Sequence, residues 1–395
     1  MAPIPRLRPY RGPAILSYGF RPFFLLGSLY AGLAILAWLP ILYGELSVAT
    51  AFAPRDWHVH EMLFGYVAAV VTGFLLTAIP NWTGRLPIQG MPLLLLVAAW
   101  LAGRIAVTLS AWTGWMAAAA IDVAFLVLLA GAASREIVAG RNWRNFKIVA
   151  MICVLAAANL AFHVEAHVYG FADYATRAGI GAVVLLITLI GGRIVPSFTH
   201  NWLVRARGGR VPAPFGRFDV AVVAASAAAL AIWVMQPYSR STAAALLAAG
   251  LLQLARLARW AGDRTTGEPL VLILHVGYAF VPIGLLLAAA GAIGLVPESA
   301  GVHAWTAGAI GTMTLAVMTR ASLGHTGREL TASTATQVIY AAVVIAALTR
   351  ITAALAPEWN EVLLHITVLA WVTAFLGFGI RYAPILSGGR RPAAQ

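Results

Sequence analysis

Residues 57–85 read WHVHEMLFGYVAAVVTGFLLTAIPNWTGR. From Met62 to Ile79 the run carries no Asp, Glu, Lys or Arg. That is about the length needed to cross the hydrocarbon layer of a bilayer as a helix, roughly 18 residues or more. A surface helix of a soluble domain would interrupt such a run with polar residues on one face. The stretch therefore predicts a membrane span, placed near 58–79, with His58, His60 and Glu61 loaded at its start.

The rest of the chain agrees with that stretch. Of 395 residues, 61% are hydrophobic and only 10% charged, and the mean hydropathy is +0.83. One soluble core cannot bury so much apolar surface. Hydropathy windows predict an all-α, polytopic bundle of about twelve transmembrane helices. The spans fall near 20–43, 58–79, 91–110, 112–133, 146–168, 174–196, 217–236, 241–260, 269–293, 301–320, 335–356 and 359–383. The chain reads as a single transmembrane domain, 1–395, embedded in the lipid bilayer. The formal net charge is +13, and in a soluble chain it would suggest nucleic acid. Here only Arg55, Arg104, Arg177, Arg240 and Arg350 of the 27 Lys and Arg residues fall at the ends opposite the N-terminal side. Such asymmetry is a topology signal. It places both termini in the cytoplasm and argues against a nucleic-acid partner.

The first span has a full-length apolar run with no small-residue cleavage site after it, so the N-terminus is expected to stay attached. The one cysteine, Cys153, excludes an intrachain disulfide and a CxxCH site for covalent haem. The expected loops are short, the longest being 134–145, 197–216 and 321–334, so any chemistry must be built between helices. An internal repeat is visible. The separation from His60 to Thr83-Gly84-Arg85 equals that from His303 to Thr326-Gly327-Arg328, and Gly65 and Gly308 each follow their histidine by five residues. A weaker match sets Pro196 against Pro80. Three four-helix units, 1–135, 146–260 and 269–387, are the corresponding expectation.

On this topology His58, His60, His163, His167, His303 and His365 gather at outer helix ends, while His200, His275 and His325 lie toward the inside. His163 and His167 are spaced i,i+4, about 40° apart on a helix. That spacing suits two imidazole ligands of one first-row metal such as copper, iron or zinc. His58 and His60 are about 200° apart if both are helical, so they cannot serve one centre from a regular helix. Either His58 precedes the helix or the two serve different centres. Arg104 and Asp122 are spaced to pair inside the membrane. Arg21, Arg193 and Arg320, at inner ends, read as snorkelling residues or as partners of a cofactor carboxylate.

With the stretches GFRPFF (19–24), GGRIVPSFTHN (191–201) and HAWTAGAIGTMTLAVMTRASLGHTGR (303–328) beside the first one, the chain resembles the NnrS family of bacterial membrane proteins. The resemblance implies a haem- and copper-containing inner-membrane protein of denitrifying and nitrosatively stressed bacteria. Its motifs carry His58, His60 and Glu61 in one element and His303 and His325 in another. The resulting expectation is a b-type haem, held non-covalently by His60, His303 and His275. A second metal, copper or iron, is assigned to His58 and Glu61 of the motif and to His163, His167 and His365, which stand in no family motif and are included on geometry alone. Nitric oxide or a derived small molecule would be the partner, and reductive turnover would require a separate electron donor. A secondary transporter and a non-catalytic haem sensor or assembly protein are the rival readings. A coloured membrane extract would exclude the transporter, and steady nitric oxide consumption would exclude the sensor.

Overall fold

The computed structural model describes residues 10–205 and 209–390. Among the described residues there is no strand; the chain runs as a succession of long helices. In chain order these are α1 (Phe20–Leu42), α2 (Pro54–Thr83), α3 (Met91–Thr108), α4 (Trp115–Ala139), α5 (Phe146–Tyr169) and α6 (Asp173–Arg205). They continue as α7 (Arg217–Met235), α8 (Arg240–Ala258), α9 (Pro269–Ala292), α10 (Glu298–His303, Ala304–Ile310 and Gly311–His325), α11 (Thr334–Leu355) and α12 (Asn360–Ser387).

Among the described residues, eleven of these twelve helices are long and apolar enough to cross a membrane; α10 is not one of them. Its helix is continuous, but Thr306, Gly308, Gly311, Thr312, Thr314 and Thr319 dilute its hydropathy. All three of the long loops expected from hydropathy are shorter in the structure, α10 continuing to His325. Helix α4 continues to Ala139, and α6 continues past Pro196 to Arg205. An internal proline removes only one backbone donor, and a long membrane helix can accommodate it.

Contacts between residues divide the chain into two units. The first comprises Met1–Gly179, Ala321–Glu329 and Phe375–Gln395, and the second Ile180–Arg320 and Leu330–Ala374. In the first unit α1, α2, α4 and α5 pack in sequence, with α3 against α4. In the second, α8 packs on α7 and α9, and α9 on α10. Arg21 is buried in the first unit, where it donates to the Leu386 and Gly388 carbonyls at 2.8 and 2.7 Å. It thus satisfies the C-terminal end of α12 instead of snorkelling, because the last carbonyls of a helix lack intrahelical donors. Arg320, in the second unit, lies over the Phe198 ring at 4.1 Å.

Helices α2 and α10 share a local irregularity at matched positions. In α2 the regular helix ends at His60 and a π-helical segment, Glu61–Val67, follows; in α10 it ends at His303, followed by π-helical Ala304–Ile310. A methyl group added at Gly65 would sit 2.8 Å from Arg104 Nη1, and one at Gly308 would sit 2.5 Å from Phe280 Cγ. Both helix ends lead into a left-handed glycine, Gly84 and Gly327, each with φ of 71°. A side chain at either glycine would be strained. The sequence repeat is therefore also a repeat of local backbone form.

Candidate metal centre

The π-helical segment of α2 starts one residue after His60 and widens the helix by about one residue per turn. Such segments are frequent at functional sites. His60 and Glu61 are fully buried at 0% exposure, with His163 and Asn159 at 1%, Asp122 at 2% and Arg104 at 4%. Each lies within about three turns of the same end of its helix: early in α2 and α4, late in α3 and α5. Neighbouring antiparallel helices bring those ends together.

His60 Nδ1 lies 3.0 Å from Glu61 Oε1. His60 Nε2 lies 3.2 Å from Asp122 Oδ2 and 3.0 Å from Asn159 Oδ1. His163 Nε2 approaches the same Asp122 oxygen at 3.3 Å. Ligand atoms of His60, Asp122 and His163 all lie within 4.8 Å of one another. Ligand atoms about 2.1 Å from one ion, at angles of about 90–110°, would be about 3.0–3.4 Å apart. Both measured separations to Asp122 fall in that range.

The surrounding groups fix which atoms face inward. Asn159 Nδ2 donates to Asp122 Oδ2 at 2.8 Å, so its oxygen is the atom left facing His60. A flipped amide would set its oxygen against the carboxylate. Arg104 donates to Glu61 Oε2 at 2.7 Å and also to Asp122; the Tyr30 hydroxyl donates to Glu61. His60 Nε2 thus faces only acceptors, Asp122 and Asn159, while Nδ1 faces a third, Glu61. A ring nitrogen bearing a lone pair gains nothing from an acceptor unless a proton or a metal ion stands between them.

Charge leads to the same conclusion. Two buried carboxylates, Glu61 and Asp122, face one buried guanidinium, Arg104. Burying an uncompensated charge away from water is costly, so a balancing positive charge is required. An imidazolium or a bound cation would supply it. Apolar rings close the site: Phe52, Phe64 and Phe162 stand 5.0, 5.2 and 5.2 Å from the His60 ring. Two tight approaches depend on glycine, since a methyl at Gly65 or Gly103 would lie 2.8 Å from Arg104 or Asp122.

The other expected ligands lie elsewhere. His58 is helical and stacks on Trp38 at 4.3 Å, pointing away from His60 as the helical angle requires. His167 does not join His163: it is exposed and stacks on Trp115 at 4.5 Å. The 40° offset carries it around the helix and one turn beyond the cluster. Glu61 binds Tyr30, Arg104 and His60 and is outside the three-residue donor set. Glu165 caps α6 through the Tyr174 and Ala175 amides.

Three more candidates belong to the second unit. His303 Nδ1 donates to the Ser299 carbonyl at 2.6 Å, and exposed His365 donates to the Glu361 carbonyl at 2.8 Å. In both rings the carbonyl holds the proton on Nδ1 and leaves the lone pair on Nε2, as an axial haem ligand or a metal ligand requires. His275 is buried, with Nε2 2.8 Å from Thr199 Oγ1. His325 belongs to the first unit and stacks on Tyr18.

Asp122 was legible in the sequence only as the partner of Arg104, and Asn159 was missed. The available signal was its i,i+4 spacing from His163, the same spacing that drew attention to His167. The chain matches the family described as NnrS protein over residues 14–390. No curated protein matches it.

Proposed function

Because the chain belongs to the NnrS family, we propose that it is a haem- and metal-binding protein of the bacterial inner membrane. It handles nitric oxide or a derivative in the response to nitrosative stress and in denitrification, with both termini in the cytoplasm. The observation that carries this reading is the buried His60, Asp122 and His163 set, whose ligand atoms converge in a cluster that needs a positive charge. Two imidazoles and a carboxylate suit a first-row metal such as copper or iron.

In this reading His60, Asp122 and His163 hold the metal. Arg104 offsets the carboxylates, and Phe52, Phe64 and Phe162 exclude water. The donor set fits a metal. A porphyrin does not fit at His60, whose two ring nitrogens and ring faces are engaged by side chains. Haem is therefore assigned to His303, where the Ser299 carbonyl sets the tautomer, with His275 as the second candidate. A bound haem and a redox metal would supply nitric oxide binding and electron transfer. Nitric oxide, being uncharged, reaches such a site through lipid, and reductive removal draws its electrons from a separate donor.

The test is titration of the purified, dithionite-reduced protein with nitric oxide, followed in the haem absorption band. Wild-type protein is expected to contain haem and to show a nitrosyl shift, and His303→Ala to lose haem while remaining folded. Colourless wild-type protein, or undiminished haem in both His303→Ala and His275→Ala, would overturn the assignment.

A further inference from the structure

We propose that Glu61, the acid of the WHVHEM stretch, is a positioning residue that makes His60 a metal ligand from outside the coordination sphere. The inference rests on the metal reading of the His60, Asp122 and His163 cluster. Both Glu61 oxygens are already committed to donors: Oε1 accepts from His60 Nδ1 at 3.0 Å, and Oε2 accepts from Arg104 at 2.7 Å and from the Tyr30 hydroxyl. A carboxylate can only accept, so the proton of the His60 ring is held on Nδ1. The lone pair is thereby placed on Nε2, the nitrogen that faces Asp122 Oδ2 and lies in the cluster with His163. Carboxylate partners of this kind orient ligating imidazoles and raise their basicity.

Arg104 and Tyr30 hold Glu61 in register. Gly65 leaves them room, since a methyl there would stand 2.8 Å from Arg104 Nη1, 3.1 Å from Tyr30 Cε1 and 3.2 Å from Glu61 Oε2. Substituting Glu61→Gln would break this chain of contacts at one atom. A glutamine amide has one acceptor and one donor end. Opposite two fixed donors, Arg104 and Tyr30, its oxygen turns toward them and its amide nitrogen turns toward His60 Nδ1. That reverses the tautomer and puts the proton on Nε2, where the metal lone pair is needed.

The experiment uses full-length protein in detergent, stripped of exchangeable metal and titrated with Cu(II) as the probe, with electron paramagnetic resonance reporting the coordinated nitrogens. Glu61→Gln should weaken Cu(II) binding roughly 10–100-fold. Two imidazole nitrogens should remain at saturation, with haem content unchanged. Glu61→Asp, which keeps an acceptor opposite Nδ1, should retain more of the affinity and serves where the glutamine variant does not purify. Unchanged affinity in Glu61→Gln, or equal losses in both variants, would overturn the positioning role. A changed ligand set at saturation would instead make Glu61 a direct ligand, which also overturns it. If wild-type protein and His163→Ala bind Cu(II) identically, the metal reading itself fails, and this inference with it.

Discussion

Asp122 accepts from Arg104 and Asn159 and stands 3.3 Å from His163 Nε2 and 3.2 Å from His60 Nε2, so one carboxylate on α4 ties together α2, α3 and α5. Arg104 bridges it to Glu61. Removing one member of a buried ion pair strands the other, which costs about 3–5 kcal/mol. Arg104→Met is therefore expected to destabilise the detergent-solubilised protein by about 3–5 kcal/mol, read as a lower thermal transition temperature. Adding Asp122→Leu should recover part of the loss, because two uncharged residues strand less charge than one. Equal stability of Arg104→Met and wild type would mean that the cluster is hydrated. Among single residues the sequence pointed to His60 and Glu61 by their motif at a helix end, to His163 by its spacing from His167, and to Arg104 and Asp122 as a pair inside the membrane. It could not show that they meet, because convergence depends on the packing of α2, α3, α4 and α5. Asn159 was missed because a neutral amide in an apolar helix looks unremarkable beside charged neighbours, even at i,i+4 from His163.

The π-helical segment of α2 sets how His60 and Glu61 face relative to the rest of that helix. Over Glu61–Val67 the hydrogen bonding is looser, and the Gly65 carbonyl accepts from the Trp100 indole at 2.9 Å. Deleting Met62 from this segment would restore regular helical winding. Without the extra residue the backbone closes up around Glu61 and Gly65, so the Glu61 carboxylate and the Gly65 carbonyl lose the placement that meets Arg104 and Trp100. The expected result is loss of the metal with helical circular dichroism unchanged; retention of metal would show that the segment does not set the register. Hydropathy placed eleven of the twelve helices well because long apolar runs leave little choice about where a chain crosses a bilayer; α10 is helical at the expected place but falls short in hydropathy. Its errors were at ends: α6 runs on through Pro196, and α4 takes in part of an expected loop. The π-helical segments were not legible, since composition does not distinguish an extra residue per turn. Their matched positions after His60 and His303 were visible only as the repeat of spacing to Thr-Gly-Arg.

For the whole molecule, the proposed topology, with both termini in the cytoplasm, would put the cluster's end of α2, α3, α4 and α5 on the outer side, away from the basic loops. Nitric oxide could reach it there without crossing the chain's charged face. In the proposed function the positive charge required by Glu61 and Asp122 is a metal ion and not a proton on His60. Elemental analysis of purified wild-type protein and of His163→Ala, normalised to protein and with haem measured separately in both, distinguishes the two. A metal ion predicts about one equivalent of non-haem metal in the wild type, its loss in His163→Ala, and equal haem in both proteins. Wild-type protein with full haem but no non-haem metal, or His163→Ala with undiminished metal, would contradict it and leave the cluster as a buried hydrogen-bonded network around an imidazolium.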